Sequence, residues 1–127
     1  MANTTTKKIR ILHVDDDLDT LHVVKVILEK EGYDVVSVPS GKDALKKIDL
    51  DGFSLIILDI MIPDMSGWDL FTRIAKIKPT YKVIFLSILD ASEERLSELK
   101  NAGVRDYIKK PFDRDDLVQR VKNALKR

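Results

Sequence analysis

Four aspartates at two places in the chain, Asp15, Asp16 and Asp17 in a run and Asp59 alone, are the residues whose type and setting most directly suggest chemistry. Each group directly follows a short β-rich run, IRILHV for the first and SLIIL for the second. If those runs are adjacent strands, the carboxylates converge on one edge. Like charges packed that closely repel and raise one another's pKa unless a cation intervenes, and hard oxygen ligands suit Mg²⁺ or Mn²⁺ in octahedral geometry completed by waters. A third run, KVIFL, ends at the hydroxyl of Ser87, and a fourth is followed by Lys110 and Pro111, which adds an ammonium. Metal, hydroxyl and ammonium around one carboxylate form the set that phosphoryl transfer requires: a nucleophile, with cations and donors for the three equatorial oxygens. Asp59 is the natural acceptor. No Walker-type glycine loop is present, so the donor is not a nucleotide held by this domain. Taken singly, the aspartate run is an ordinary loop or helix cap, Ser87 a strand end and Lys110 a surface lysine. Their joint placement at the ends of four strands is what points to chemistry.

The elements that must position these residues follow from hydrophobic spacing. Strands are expected at 9–14, 34–38, 54–58, 82–86 and 104–108. The first, third and fourth are nearly continuous apolar runs, as befits strands covered on both faces, and the more mixed second and fifth suit the edges. Between them, Leu21, Val24 and Leu28; Ala44, Leu45 and Ile48; Leu70, Ile74 and Ile77; Leu96 and Leu99; and Leu117, Val121 and Leu125 have helical spacing. Gly32 reads as a helix stop, Ser40 with Asp43 as a capping box and Asp113 as the cap of the last helix. Strict alternation with short connections implies an α/β fold: a doubly wound parallel sheet with right-handed crossovers and helices on both faces. Ligands bind such sheets at the carboxyl ends of the strands, where these polar residues fall.

Length and composition agree with one domain. The chain has 127 residues, 44% hydrophobic and 34% charged, with 22 basic against 21 acidic side chains. That balance demands neither nucleic acid nor membrane. There is no cysteine, hence no disulfide or thiolate metal site, which fits a cytoplasmic setting. No apolar run approaches the roughly 20 residues needed to cross a bilayer. Residues 1–8 are expected to be a disordered lead-in and 9–127 the domain. Residues 95–127 carry ten Lys and Arg against five Asp and Glu, a local basic excess. His13 in a strand and His22 in a helix have no metal-ligand company.

Three stretches carry a family resemblance. LDIMIPDMSG, from Leu58 to Gly67, resembles the phosphoacceptor loop of the receiver domains of two-component response regulators, with its Pro and Gly four residues apart. VDDD, from Val14 to Asp17, resembles their acidic pocket, and YIKKPF, from Tyr107 to Phe112, their strand 5 exit. The resemblance spans residues 9–126, with all elements in order. It implies the flavodoxin-like strand order 2-1-3-4-5. It also implies that Asp16 and Asp59 bind Mg²⁺ directly, Asp15 largely through water and Met61 through its backbone carbonyl. Ser87 and Lys110 would hold the phosphoryl oxygens, Tyr107 would be an aromatic switch following Ser87, and Pro111 would follow a cis peptide bond. Where the family has a small residue after its hydroxyl, this chain has Ile88, a bulky side chain expected to crowd the mouth of the site.

The function these features imply is signalling, not turnover of a substrate. A histidine kinase or phosphotransfer protein would present phosphohistidine, Asp59 would take the phosphoryl group, and the surface of helix 4, strand 5 and helix 5 would change for an output partner or a homodimer. Arg95, Arg105, Lys109 and Arg114 are candidate contacts there. Two rival readings stand beside it. A haloacid dehalogenase-type phosphatase also uses an Asp nucleophile on a doubly wound sheet, but Asp19 stands where its DxDx[TV] pattern has Thr or Val, and no cap domain fits this length. A phosphorylation-independent docking module would have no need of the complete set of phosphorylation residues present here.

Overall fold

The computed structural model describes residues 8–50 and 52–126. Five strands and five helices alternate along them: β1 Arg10–Val14, α1 Leu18–Lys30, β2 Asp34–Val38, α2 Gly41–Leu50, β3 Leu55–Leu58, α3 Gly67–Ile77, β4 Val83–Ser87, α4 Glu93–Asn101, β5 Val104–Lys109 and α5 Arg114–Leu125. All pairings are parallel, and the strand order is β2-β1-β3-β4-β5. The expected strands recur within a residue or so. Ile9, Ser54 and Lys82 fall just outside them, each contributing a single backbone hydrogen bond that leads into the ladder. Ser87 and Lys109 close β4 and β5 from within.

The two-residue alternation of side chains divides each central strand between two cores. Leu12, Val14, Ile56, Leu58, Val83 and Phe85 face Ala44, Ile48, Leu70, Ile74 and Leu99 of α2, α3 and α4. Ile11, Leu55, Ile57, Ile84 and Leu86 face Val24, Ile27 and Leu28 of α1 and Leu117, Val121 and Ala124 of α5. That is why β1, β3 and β4 read as unbroken apolar runs while the edge strands β2 and β5 are mixed.

The helix punctuation holds. Gly32 ends α1 at φ +94°, a conformation that costs a residue with a Cβ. Asp17, Ser66, Ser92 and Asp113 cap α1, α3, α4 and α5, and the Ser40 hydroxyl accepts the Asp43 N–H in the first turn of α2. No helix among the described residues is long and apolar enough to cross a membrane. Residues 1–7 of the expected lead-in lie outside the described residues.

Candidate functional site

The order β2-β1-β3 puts the switch in winding direction between β1 and β3, so the carboxyl ends of those two strands flank a crevice. Asp15 leaves β1 there and Asp59 leaves β3. The ladder runs on to both of them, since the Asp59 N–H donates to the Val14 carbonyl (3.0 Å) and the Asp15 N–H to the Val38 carbonyl (3.2 Å). Both side chains are buried, at 0% and 5% exposure, whereas Asp16 is exposed. One carboxylate oxygen from each of Asp15, Asp16 and Asp59 lies within 4.8 Å of the others. Three hard oxygen donors at that spacing fit a small divalent cation better than they fit one another.

Lys110, placed by the exit from β5, is the cation that the fold supplies. Its Nζ donates to Asp15 Oδ2 at 2.7 Å and to Asp59 Oδ2 at 3.3 Å. Burial disfavours the charged ammonium, but the Asp15 hydrogen bond and the charges of Asp15 and Asp59 outweigh it and raise the Lys110 pKa. Burial drives the Asp15 pKa upward even though Lys110 and the Asp17 N–H, which donates to Asp15 Oδ1 at 2.9 Å, pull it down. Three carboxylates against one ammonium leave the pocket short of positive charge. The peptide bond between Lys110 and Pro111 is cis, as the resemblance implies.

Ser87 is fully buried at the end of β4, and its Oγ accepts the Leu89 N–H at 3.3 Å. The Leu89 carbonyl in turn accepts the Tyr107 hydroxyl from β5. Tyr107 is half-buried and its ring lies 6.3 Å from that of Phe85, with burial raising its pKa. Met61, also exposed, donates its N–H to Asp59 Oδ1 at 3.2 Å and pairs with Ser66 in an isolated bridge that folds the β3–α3 loop back on itself. The residues expected from the sequence to form the pocket and its switch thus gather at or beside this edge: Asp15, Asp16, Asp59, Met61, Ser87, Tyr107 and Lys110.

Ile88 stands beside the pocket. It is 60% exposed and lines a groove with Val23, Ile27, Pro111 and Phe112, beside Lys110. The four basic residues proposed as outward contacts also have partners within the chain. The Arg95 guanidinium stacks 4.3 Å over the Trp68 ring, Lys109 pairs with Asp90 at 2.7 Å, Arg114 with Asp115 at 3.0 Å, and Arg105 donates to the Lys126 carbonyl at 2.9 Å.

Two supports of the site are not legible in the sequence. Asp64 accepts the N–H groups of Gly41 and Lys42 at 2.9 Å each, tying the acceptor loop to the start of α2, and those bonds hold its pKa below the usual carboxylate range. A Cβ on Gly67 would lie 2.3 Å from the Asp59 carbonyl oxygen, so only glycine lets α3 begin that close to the acceptor's backbone.

Fold and site together define a doubly wound α/β module with an acidic pocket at its topological switch. The chain belongs to the response regulator receiver domain family, whose model matches residues 11–122. It is similar to the transcriptional regulatory protein TrcR of Mycobacterium tuberculosis, 35% identical over 119 residues that make up 94% of this chain and 46% of that protein. Among solved structures, a CheY-like receiver domain protein from Methanospirillum hungatei is 39% identical with a TM-score of 0.85, covering 94% of each chain. The response regulator TrrA from Thermotoga maritima, solved in complex with Mg²⁺ and BeF, is 34% identical with a TM-score of 0.78, covering 91% of this chain and 98% of that one. The chain spans about half the length of the curated relatives it matches. Receiver domains are signalling modules rather than classical enzymes, and as a family they bind Mg²⁺ at an acidic cluster and are phosphorylated on aspartate.

Proposed function

We propose that this domain takes a phosphoryl group from the phosphohistidine of a partner histidine kinase or phosphotransfer protein onto Asp59. The observation that carries this reading is Lys110, whose ammonium is shared between the buried carboxylates of Asp15 and Asp59 in a pocket still short of positive charge. An Asp59 oxygen attacks phosphorus in line as the phosphorus–nitrogen bond breaks, and the donor imidazole, already protonated on its other ring nitrogen, leaves as the neutral ring. Ser87 and Lys110 bind equatorial oxygens, Lys110 turning from the carboxylates as the phosphoryl group arrives. Asp16 and Asp59 directly, Asp15 through water and Met61 through its carbonyl would hold Mg²⁺ or Mn²⁺. Such an ion supplies charge neutralisation for the carboxylates and the transferring group. The domain works in the cytoplasm. Its output is an altered surface on α4, β5 and α5, read by a partner or by a second copy of the chain, with no direct contact to nucleic acid.

The test is thermal melting against Mg²⁺, with phosphorylation by a small phosphodonor followed by intact mass. A ligand bound only by the folded state adds about 2.7 kcal/mol at a hundred times its Kd, so the wild-type Tm should climb with Mg²⁺. Asp16→Asn and Asp59→Asn should flatten the climb. Wild type should gain one phosphoryl mass in Mg²⁺, and Asp59→Asn none. An equal climb in wild type and Asp16→Asn would remove the metal assignment, and stoichiometric labelling of Asp59→Asn would remove the acceptor.

A further inference from the structure

His13 lies in β1, two residues before Asp15, with its side chain at 0% exposure. Neither ring nitrogen has a hydrogen-bond partner. Ser37, opposite it in the β1–β2 register, also has a buried hydroxyl without a partner. Orphaned polar atoms at adjacent positions of a sheet are rare, because each gives up hydration for nothing. A Val or Leu at position 13 would fill the same apolar face without that cost. Burial without a partner disfavours the charged form of the ring. A neutral imidazole has one donor and one acceptor, and which nitrogen carries the proton depends on its neighbours.

The geometry around Asp15 supplies the missing use. Asp15 Oδ1 is taken by the Asp17 N–H and Oδ2 by Lys110, while His13 Nε2 stands 3.9 Å from that same Oδ2, too far for a bond while the ammonium is present. Lys110 serves Asp59 at the same time. Once it turns to a phosphoryl oxygen, Asp15 Oδ2 is a buried anionic acceptor that has lost its donor. We propose that His13 is a positioning residue: its Nε2–H takes over Asp15 Oδ2 as Lys110 leaves, holding that carboxylate in its metal-facing rotamer, while Nδ1 accepts from the Ser37 hydroxyl. The two orphaned side chains then become a chain of donors running Ser37 to His13 to Asp15, from the edge strand to the pocket. This rests on the phosphoacceptor reading above. Partners that orient metal-binding groups typically contribute 10- to 100-fold in metal affinity.

Two measurements test it. Nitrogen NMR of the imidazole should find the neutral Nε2–H tautomer in the metal-free protein, and Mg²⁺ with beryllium fluoride should move that proton downfield as the bond shortens. With beryllium fluoride present to draw Lys110 away, the Kd for Mg²⁺, followed by the fluorescence of the single tryptophan Trp68, should stay within about twofold in His13→Gln, whose amide reproduces the Nε2 donor. It should weaken about tenfold in His13→Asn, which reproduces only the Nδ1 position, and in His13→Leu. An Nδ1–H tautomer in the metal-free protein would overturn the role of His13 and leave Asp59 untouched, as would wild-type Mg²⁺ affinity in the Asn and Leu variants. If those variants do not fold, the tautomer and the response of its proton decide. A wild-type protein whose Asp59 amide ignores Mg²⁺ and beryllium fluoride would overturn the phosphoacceptor reading and this inference with it.

Discussion

Hydrolysis of an acyl phosphate on Asp59 needs a water in line with phosphorus, and the residues after Ser87 decide what that water meets. Ile88 and Leu89 are 60% and 40% exposed and offer no side-chain polar atom. Leu89 is committed through its backbone, its N–H to Ser87 Oγ and its carbonyl to Tyr107. Water placement by a polar side chain is one of the few contributions a protein can make to a loose transition state, and a misplacement of about 1 Å can cost a hundredfold. Dephosphorylation should therefore be slow without a phosphatase. Leu89→Glu, which sets a carboxylate near the attack line, should hasten decay most. Ile88→Ala should do less, because Ile88 lines a groove shared with Val23 and Phe112 beside Lys110. The measurement is decay of the phosphoprotein in Mg²⁺ after the donor is removed; unchanged decay in Leu89→Glu would show that water placement does not set the rate. Asp64 acts at this scale too. Asp64→Ala removes two N–H acceptors at the start of α2 and should lower stability by about 1 kcal/mol, the usual worth of an N-terminal cap. Its pKa is depressed in the folded state, so the contribution is present above the ordinary carboxylate value of about 3.9 and fades as pH falls through the lower folded value. Wild type and Asp64→Ala should converge in denaturant midpoint at acid pH; a gap that persists to the lowest accessible pH would mean the carboxylate is not its source.

At the scale of elements, the junction of β3 with α3 bears the tightest constraint in the pocket. The Gly67 N–H donates to the Ile60 carbonyl at 2.8 Å, and a Cβ there would press on Asp59 and Ile60 backbone rather than on a side chain able to turn aside. Gly67→Ala should destabilise by roughly 1–3 kcal/mol, the range for overpacking a close-packed site, and should weaken Mg²⁺ binding by displacing the acceptor. Wild-type Mg²⁺ affinity in a Gly67→Ala protein that has lost that stability would separate the packing role from the site. Gly41 differs, for a Cβ there would meet the thioether of Met65, the end of a flexible side chain. These contrasts explain what is legible in the sequence. Strand order of hydrophobicity, Gly32, Asp113 and the chemistry-bearing residues at strand ends express local rules, so they can be read directly. The Asp64 bond to Gly41 and Lys42 joins residues more than twenty positions apart, and the closeness of Gly67 to Asp59 depends on how a loop doubles back. In the sequence His13 is one more residue of an apolar strand; only the β1–β2 register puts Ser37 opposite it, and only the exit of β5 brings Lys110 to Asp15.

Across the whole molecule, the pocket is wired to the far surface by a short route. Ser87 closes β4, holds Leu89 by its N–H, and Leu89 holds Tyr107 on β5, while Lys109 of β5 reaches back to Asp90 of the same loop at 2.7 Å. Beyond the loop, α4 is fastened to the α3 side of the sheet by Arg95 over Trp68, whose ring lies 4.7 Å from that of Phe85 on β4. A phosphoryl group that draws Ser87 toward Asp59 must carry the Leu89 amide with it or break that bond. If Leu89 is carried along, its carbonyl would shift under the Tyr107 hydroxyl and pass the change to β5. A ligand shifts such an equilibrium only by its differential stabilisation of the two arrangements, and a reversal from about 1:99 to 99:1 needs about 5.5 kcal/mol. A few rearranged hydrogen bonds, each worth about 1 kcal/mol, supply only part of that. The expected outcome is therefore a partial shift. With Mg²⁺ and beryllium fluoride, amide NMR should show β5 and α4 resonances moving along a line between two end states, and Tyr107→Ala should shorten or abolish that movement while leaving the changes around Asp59 intact. Association of the chain with itself, followed by sedimentation, should strengthen by a limited factor under the same conditions. Shifts confined to the loops around Asp59, with β5 silent in the wild type, would show that the Ser87, Leu89 and Tyr107 connection does not transmit the event at Asp59.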